Sequence, residues 1–575
     1  MEAGTKRSGF AILIFLMLSA AMGLAQQNYW VPKDPPKAAY RMTVTIDPTG
    51  DSLQGEESIM FRNHTDRSLY QIAFNWPQIS RHDIQVLENG TPLWLVNDQG
   101  NRSLEPLLYE LARPLSPNQT LEINISFSKK VITAGNSDKV KLRDGWYPHL
   151  SWDGIRTPDD YFVKIIHPKE YTIAASGRLD TSTGFFQSKG TRYFAVFLGK
   201  NHHILSKEIG GVLVSVVYPD SSEQVASLVF NTAIDAIPFF TKLFGFFPFK
   251  HFSIIPGNSS PQGGFNLGPG IAVIHGMNCF SQMPPIFWQY IMVHEICHHY
   301  WGEYVYDGDD PSWLWIALGI YTDREYFKSK NLTVGYYAGF RQRYLQMASK
   351  HQNTTLDATT EEVQKFEMHS SDFDWNMSVN HGKGFTVISA LESVLGAQTF
   401  HEILVRCLKE FAGKPLGYKK FQEVCEEVSG QNLNWFFNQW VRSNKHLDLS
   451  IRDSSCVSSG SQYLSTIHLV NTGDLRMPVT VRVTFSDSTS QTAIINRLIK
   501  TPTLKFESNA LLRSIEIDPE KTCRRWVRKS CPPKTNWQCP WIISRTRVSV
   551  MKRLSCMISP PGSERTTKKH GSPSA

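Results

Sequence analysis

PPIFWQYIMVHEICHHYWGEYV, residues 284–305, decides how the rest of the chain is read. Its apolar side chains recur three and four positions apart, the period of a helix packed into a core. Inside it stands His294-Glu295-Ile296-Cys297-His298. One helical turn separates the two histidines, so both imidazoles share a face and can reach one metal ion. Glu295 lies beside them, placed to take a proton from metal-bound water. The competing reading is a helix with two histidines by coincidence. With 18 His in the chain, chance supplies this pattern on the order of a few hundredths of a time. His299 points about 100° around the helix and reads as a packing or rim residue.

Outward from the motif the texture changes twice. Tyr40 to about Val217 alternates apolar with polar residues between Pro, Gly, Asn and Asp turns, as in YRMTVTIDP and LEINISFSK. From Ser222 to Asn444 the period is helical, and around Leu447–Asp518 short strands return. The expected organisation is multi-domain α+β. It comprises a signal peptide at 1–25, an N-terminal β domain at 30–217 and a mostly helical domain at 218–445. A small β-sandwich at 446–520 and a basic, Cys-containing tail at 521–575, read as disordered, complete it. A length of 575 residues agrees with several domains.

Composition narrows the function. The chain is 41% hydrophobic and 19% charged, enough to bury sizeable cores. Of the formal +8, residues 522–575 carry +11 (twelve Lys/Arg against Glu564) and the remainder −3. A nearly neutral body disfavours a polyanion-binding core, so no nucleic-acid partner is expected. Lys6 and Arg7, the apolar run Phe10–Met22 and Gly23-Leu24-Ala25 read as an export signal. The run is short for a membrane span, so no stable span is expected after cleavage and the mature protein is expected to be exported, periplasmic or secreted. An uncleaved N-terminal anchor is the alternative. Export permits disulfides among the nine cysteines; Cys407 and Cys425 read either as a bridge between two helices or as two buried thiols.

Further stretches follow a recognisable order. FFTKLFGFFPFKHFSIIP (239–256) precedes a Gly-rich strand, QGGFNLGPGIAVI (262–274); Trp313–Tyr321 follows the motif; then come NHGKGFTVISALESVLG (380–396) and FQEVCEEVSGQNLNWFFNQWVRS (421–443). In this order and spacing residues 30–520 resemble the aminopeptidase N and leukotriene hydrolase family of zinc peptidases. The resemblance implies a thermolysin-like catalytic domain and one Zn2+ held by His294 and His298. It also implies hydrolysis of peptide bonds in a peptide or protein substrate by metal-activated water, with Glu295 as general base.

Three positions depart from the family pattern. Its third zinc ligand is a Glu within W-L-x-E-G, 19 positions after the second His; strict spacing lands on Ala317, and matching the Trp and Gly lands on Leu318. Neither ligates, while a catalytic zinc takes three protein ligands plus water. Glu325, seven residues past Leu318, matches a family position that supports a ligand His from behind. The acids Asp307, Asp309, Asp310 and Asp323 stay open as substitutes. The family's substrate-gripping G-x-M-E-N strand reads Gly263-Gly264-Phe265-Asn266, and no acid occurs between Asp235 and Glu295, so an N-terminal ammonium finds no counter-charge there. Where the family carries an oxyanion-binding Tyr in Y-x-K-G, this chain has His381. An imidazole there can stabilise the oxyanion, serve as a third ligand, or merely pack. Two functions follow: a zinc metallopeptidase with an altered ligand set, or an inactive peptidase-like scaffold that binds peptides or proteins.

Overall fold

Alternation governs the N-terminal strands. Ala38–Ile46 turns Ala38, Tyr40, Met42, Val44 and Ile46 inward and its polar residues outward. In the computed structural model, which describes residues 30, 32–47, 51–75, 84–96, 106–131, 138–152, 155–495 and 501–519, this strand lies inside an eight-stranded sheet. It runs parallel to Asp159–Ile166 and antiparallel to Ser52–Arg62. The expected signal peptide and basic tail lie outside the described residues.

A second sheet positions the site. Its five strands run in the order His203–Ile209, Val212–Tyr218, His251–Pro256, Ile271–His275 and Gly263–Gly268. Among the described residues the Gly-rich strand is therefore an edge, paired antiparallel to Ile271–His275 on one side only. Both faces are covered, which is why HFSIIP is buried along its whole length. Phe252, Ile254, Ala272 and Ile274 face the helices. Ile255, Leu267, Ile271 and Val273 face Ala174, Ala195 and Phe197 of the N-terminal domain. The boundary drawn at 217/218 consequently moves: residues 203–218 are strands of the sheet that flanks the motif. Periodicity marks a strand but does not say which sheet receives it.

The helix Pro285–Tyr300 starts with Pro at its first position, where the missing N–H costs nothing. It is buried nearly all round, from Phe287 to Tyr300, because the sheet covers one side and the helices Glu223–Phe244 and Leu314–Ser329 the others. Helices and one π-helical segment, Trp375–Gly384, complete the region to Trp440. Beyond it lie two three-stranded sheets whose inward residues, among them Ile467, Phe506, Val481 and Phe485, join one apolar cluster. This order agrees with multi-domain α+β. No described helix is long and apolar enough to cross a membrane. Cys407 and Cys425 are buried free thiols.

Gly268 is where the edge strand meets the N-terminal domain. An added Cβ would stand 2.6 Å from the Ala195 Cβ and 2.9 Å from the Tyr193 ring. Ala195 is fully buried and has nowhere to retreat. Gly268→Ala is expected to destabilise the protein by about 1–3 kcal/mol, read as a lower denaturant midpoint.

Candidate active site

The motif histidines are held from behind. His294 Nδ1 lies 2.8 Å from Asp323 Oδ2, and His298 Nδ1 lies 3.2 Å from the Trp301 carbonyl. Both partners only accept, so each Nδ1 carries a proton and donates it. The forward nitrogens meet at 3.1 Å, His294 Nε2 against His298 Nε2. Two lone pairs repel at that distance unless a cation stands between them. Burial pushes the His294 pKa down, but the hydrogen bond and charge of Asp323 outweigh it and the net shift is upward. Burial and the His294 charge push His298 well down.

The second helix, Leu314–Ser329, shows which of its faces meets the motif. Trp315 lies against the His298 ring, centroids 4.6 Å apart. Gly319 permits that ring's approach, since an added Cβ would stand 2.5 Å from it. Thr322 Oγ1 accepts from the Trp301 indole at 2.9 Å, and Asp323 reaches His294. At about 100° per residue these positions, with Ile316, share one side. Ala317 points away from it; a Cβ on Gly384 would meet Ala317 at 3.2 Å. Asp323 thus fills the supporting role assigned to Glu325. Glu325 instead pairs with Arg324 at 2.7 Å and, more loosely, with Lys328. Two turns before Asp323, the residue on the bracing acid's side of the helix is Ile316, which like Ala317 and Leu318 carries no ligand atom. The Trp and Gly anchors misled because this helix carries two tryptophans two apart, Trp313 and Trp315; the seven-residue spacing back from an acid was the better signal.

Glu295 lies against the edge strand. An added Cβ on Gly264 would stand 2.6 Å from its Oε1, so only glycine lets the strand pass this closely. The carboxyl is 2% exposed, and burial, with a smaller push from Asp323 against the pull of His294, raises its pKa to about 7. Strand alternation divides the four residues read as substrate-binding. Gly264 and Asn266 face the helix, and Asn266 Oδ1 is buried without a hydrogen-bond partner. Phe265 faces the other way, stacked on His275 at 5.4 Å, and Gly263 has open space beside it.

His381 stands at the cleft on the π-helical segment, its ring centroid 6.3 Å from that of His294 and 5.2 Å from Phe340. Its Nδ1 donates to the Asn376 carbonyl at 2.8 Å, leaving the lone pair on Nε2. Burial and the His294 charge hold its pKa down to about 4. Two residues on, buried Lys383 pins the segment by donating to the carbonyls of Thr354 and Ser443.

Residues 287–440, which contain every element of this site except the edge strand, match the peptidase family M1 domain. Among curated proteins, Aminopeptidase M1-A of Oryza sativa subsp. japonica is 21% identical over 182 residues, 31% of this chain and 20% of that protein. The chain thus spans about a fifth of the length of the relative it matches.

Three other acids near the motif have partners of their own. Asp309 accepts from the Tyr418 N–H at 2.9 Å, and Asp307 from that of Asp309 at 3.2 Å. Glu303 accepts from Tyr193 at 3.1 Å, across the contact with the N-terminal domain. His299 packs as expected, its Nδ1 on the Glu295 carbonyl at 2.8 Å and its ring between Phe249 and Phe252. Among the described residues no three His, Cys, Asp or Glu side chains stand close enough to hold an ion together. The chemistry of the two motif nitrogens nonetheless fits zinc. Neutral imidazoles fixed by outer partners are its usual donors, and two of them at Zn–N of about 2.0–2.1 Å stand about 3.3 Å apart in a tetrahedral site.

Two outcomes test this geometry. Ile316→Glu should tighten zinc binding at least about tenfold by isothermal titration. Ala317→Glu, facing away and fully buried, should instead lower stability without tightening it. The second concerns Glu295 in the metal-free protein, where the folded pKa lies above the ordinary 4.5. Stability carried by the neutral form is complete below that value and is lost as pH rises towards about 7. Glu295→Gln should remove this loss, leaving the variant more stable than wild type at pH 8 by an amount on the order of 3 kcal/mol in denaturant titrations.

Proposed function

We propose that the protein is a zinc-dependent metallopeptidase that hydrolyses peptide bonds, with His294 and His298 as metal donors and Glu295 as general base. The observation that carries this reading is the facing pair of Nε2 atoms at 3.1 Å, each ring braced at its Nδ1. A helix relieved of metal has no need of that bracing. Zinc at this position would polarise the substrate carbonyl and lower the pKa of water.

The chain's own residues do the rest. Glu295, with its pKa raised to about 7, is poised to take a proton from water near neutral pH and deliver it to the leaving amine nitrogen. Among the described residues no strand pairs with the outer side of Gly263–Gly268, whose Gly264 lies against Glu295. An extended peptide adds to such an edge by backbone hydrogen bonds. His381, at the rim, is read here as the group that replaces the family's phenol. With no acid on this strand, recognition of a free N-terminus has no anchor there, so aminopeptidase specificity is not part of the proposal.

A second reading, an inactive scaffold that binds peptides or proteins, is favoured by one observation: an apolar Ile316 where the third ligand would stand. Turnover separates the two. The full chain with one equivalent of zinc should cleave casein or peptide amides, and Glu295→Gln should lose about 10²–10⁴-fold in kcat while retaining its zinc. Equal turnover in that variant, or a wild type that takes up no zinc, would leave the scaffold.

A further inference from the structure

The edge strand has two faces, and only the one towards the helices carries Glu295. A peptide paired with Gly263–Gly268 sends alternate side chains to the other face, towards the N-terminal domain. Gly263, Phe265 and His275, the register partner of Gly263, lie on that face. Gly263 brings no side chain there, and a Cβ added to it would meet nothing within 4 Å. Open space thus stands beside His275, where one side chain of a paired peptide would enter.

Three donors gather at this place. The strand Lys139–Leu142 of the N-terminal domain buries Val140 and Leu142 in its own core and turns Lys139 and Lys141 the other way. Lys141 is the register partner of Phe197, which packs on the five-stranded sheet, so both lysines point towards that sheet. Lys139 Nζ stands 3.4 Å from the carbonyl of Gly257, at the end of the strand next to that of His275. Burial and the charges of both lysines push the His275 pKa down, so its ring is neutral. Its Nδ1 accepts from the Asn258 N–H at 2.7 Å, which leaves the ring proton on Nε2 as a donor.

The charges here are not balanced. Lys141 is partly buried, has no ion pair among the described residues, and is pushed down in pKa by burial and by Lys139. Lys139 has only the neighbouring Asp138 to offset its burial. Partly desolvated cations side by side repel, and an anion relieves them. A carboxylate can accept from two ammoniums and an imidazole N–H together.

We propose that Lys139, Lys141 and His275 form a cationic subsite for the carboxylate of a Glu or Asp side chain in the bound peptide, at the residue next to the one that faces Glu295. The substrate class is therefore an acidic peptide. The inference rests on the edge-strand pairing of the metallopeptidase reading above and involves no metal.

The test moves a single Glu through an otherwise neutral, end-capped, fluorophore-labelled hexapeptide, with Gln and Lys at the same positions for comparison. Binding to the full chain is read by anisotropy with a chelator present, so turnover plays no part. Wild type should bind the peptide with Glu at the matching position about three- to tenfold tighter than its Gln counterpart, less so as salt rises from about 50 to about 500 mM. Lys141→Gln and Lys139→Gln should each reduce the preference, the double variant should abolish it, and Lys141→Glu should reverse it in favour of Lys. Unfolding midpoints report whether these variants fold; if they do not, the wild-type scan and its salt dependence decide. Equal affinity for Glu and Gln at every position overturns the inference, as does a preference that survives in the folded double variant. Free glutarate that competes as well as the Glu peptide overturns it too, leaving a site for small anions. Cleavage of casein without any acidic preference leaves the metallopeptidase reading standing and this inference overturned. A Glu preference in a protein that takes up no zinc and cleaves nothing does the reverse.

Discussion

The orientation of two imidazoles is the constraint on which this site depends. A histidine has two ring nitrogens, and which of them faces a cleft is set by what the other one bonds. Here a carboxylate from the neighbouring helix and a carbonyl from the turn after the motif take the two Nδ1 protons. The consequence is a pair of Nε2 atoms facing each other 3.1 Å apart, a separation that a shared proton or a metal ion relieves. Neither brace belongs to the motif itself. Asp323 is in turn held by Tyr337, which donates to its other oxygen at 2.6 Å. The turn bearing Trp301 is gripped from the N-terminal domain, where Arg192 donates to the Gly302 carbonyl and lies over the Tyr306 ring. Ring orientation is thus a property of three separate chain segments.

The same packing sets the acid. Glu295 is confined between the motif helix and a strand that can approach only because Gly264 has no side chain. Removing water from around a carboxyl favours its neutral form, and the nearby imidazolium only partly offsets this. Burial therefore moves a group that would be fully ionised at pH 7 into the range where it both accepts and returns a proton. Had the strand carried a larger residue, the acid would be displaced from the edge along which a peptide can pair.

Much of this was legible in the chain. The helical period of 284–305, the spacing of His294 and His298, and the glycines of 263–264 each encode a local demand that survives any tertiary context. What misled was register on the second helix. Trp313 and Trp315 offer two equally good anchors for one pattern, and a slip of one or two residues turns a helix by about 100–200°. Glu325 was singled out on such a slip, whereas it is Asp323 that reaches His294. The boundary at 217/218 slipped for a related reason, because strands of adjacent sheets share one texture.

By itself the sequence determined that two imidazoles and an acid share one buried helical turn, since that follows from 3.6 residues per turn and from composition alone. It also determined that the expected third carboxylate is missing, because no alignment of residues 316–318 contains one. Only the tertiary structure decided which nitrogen of each ring faces the cleft, which acid braces it, and that His381 stands at the cleft beside His294. Those depend on contacts between segments up to about ninety residues apart, and no local period carries the angle at which one helix presents its side chains to another.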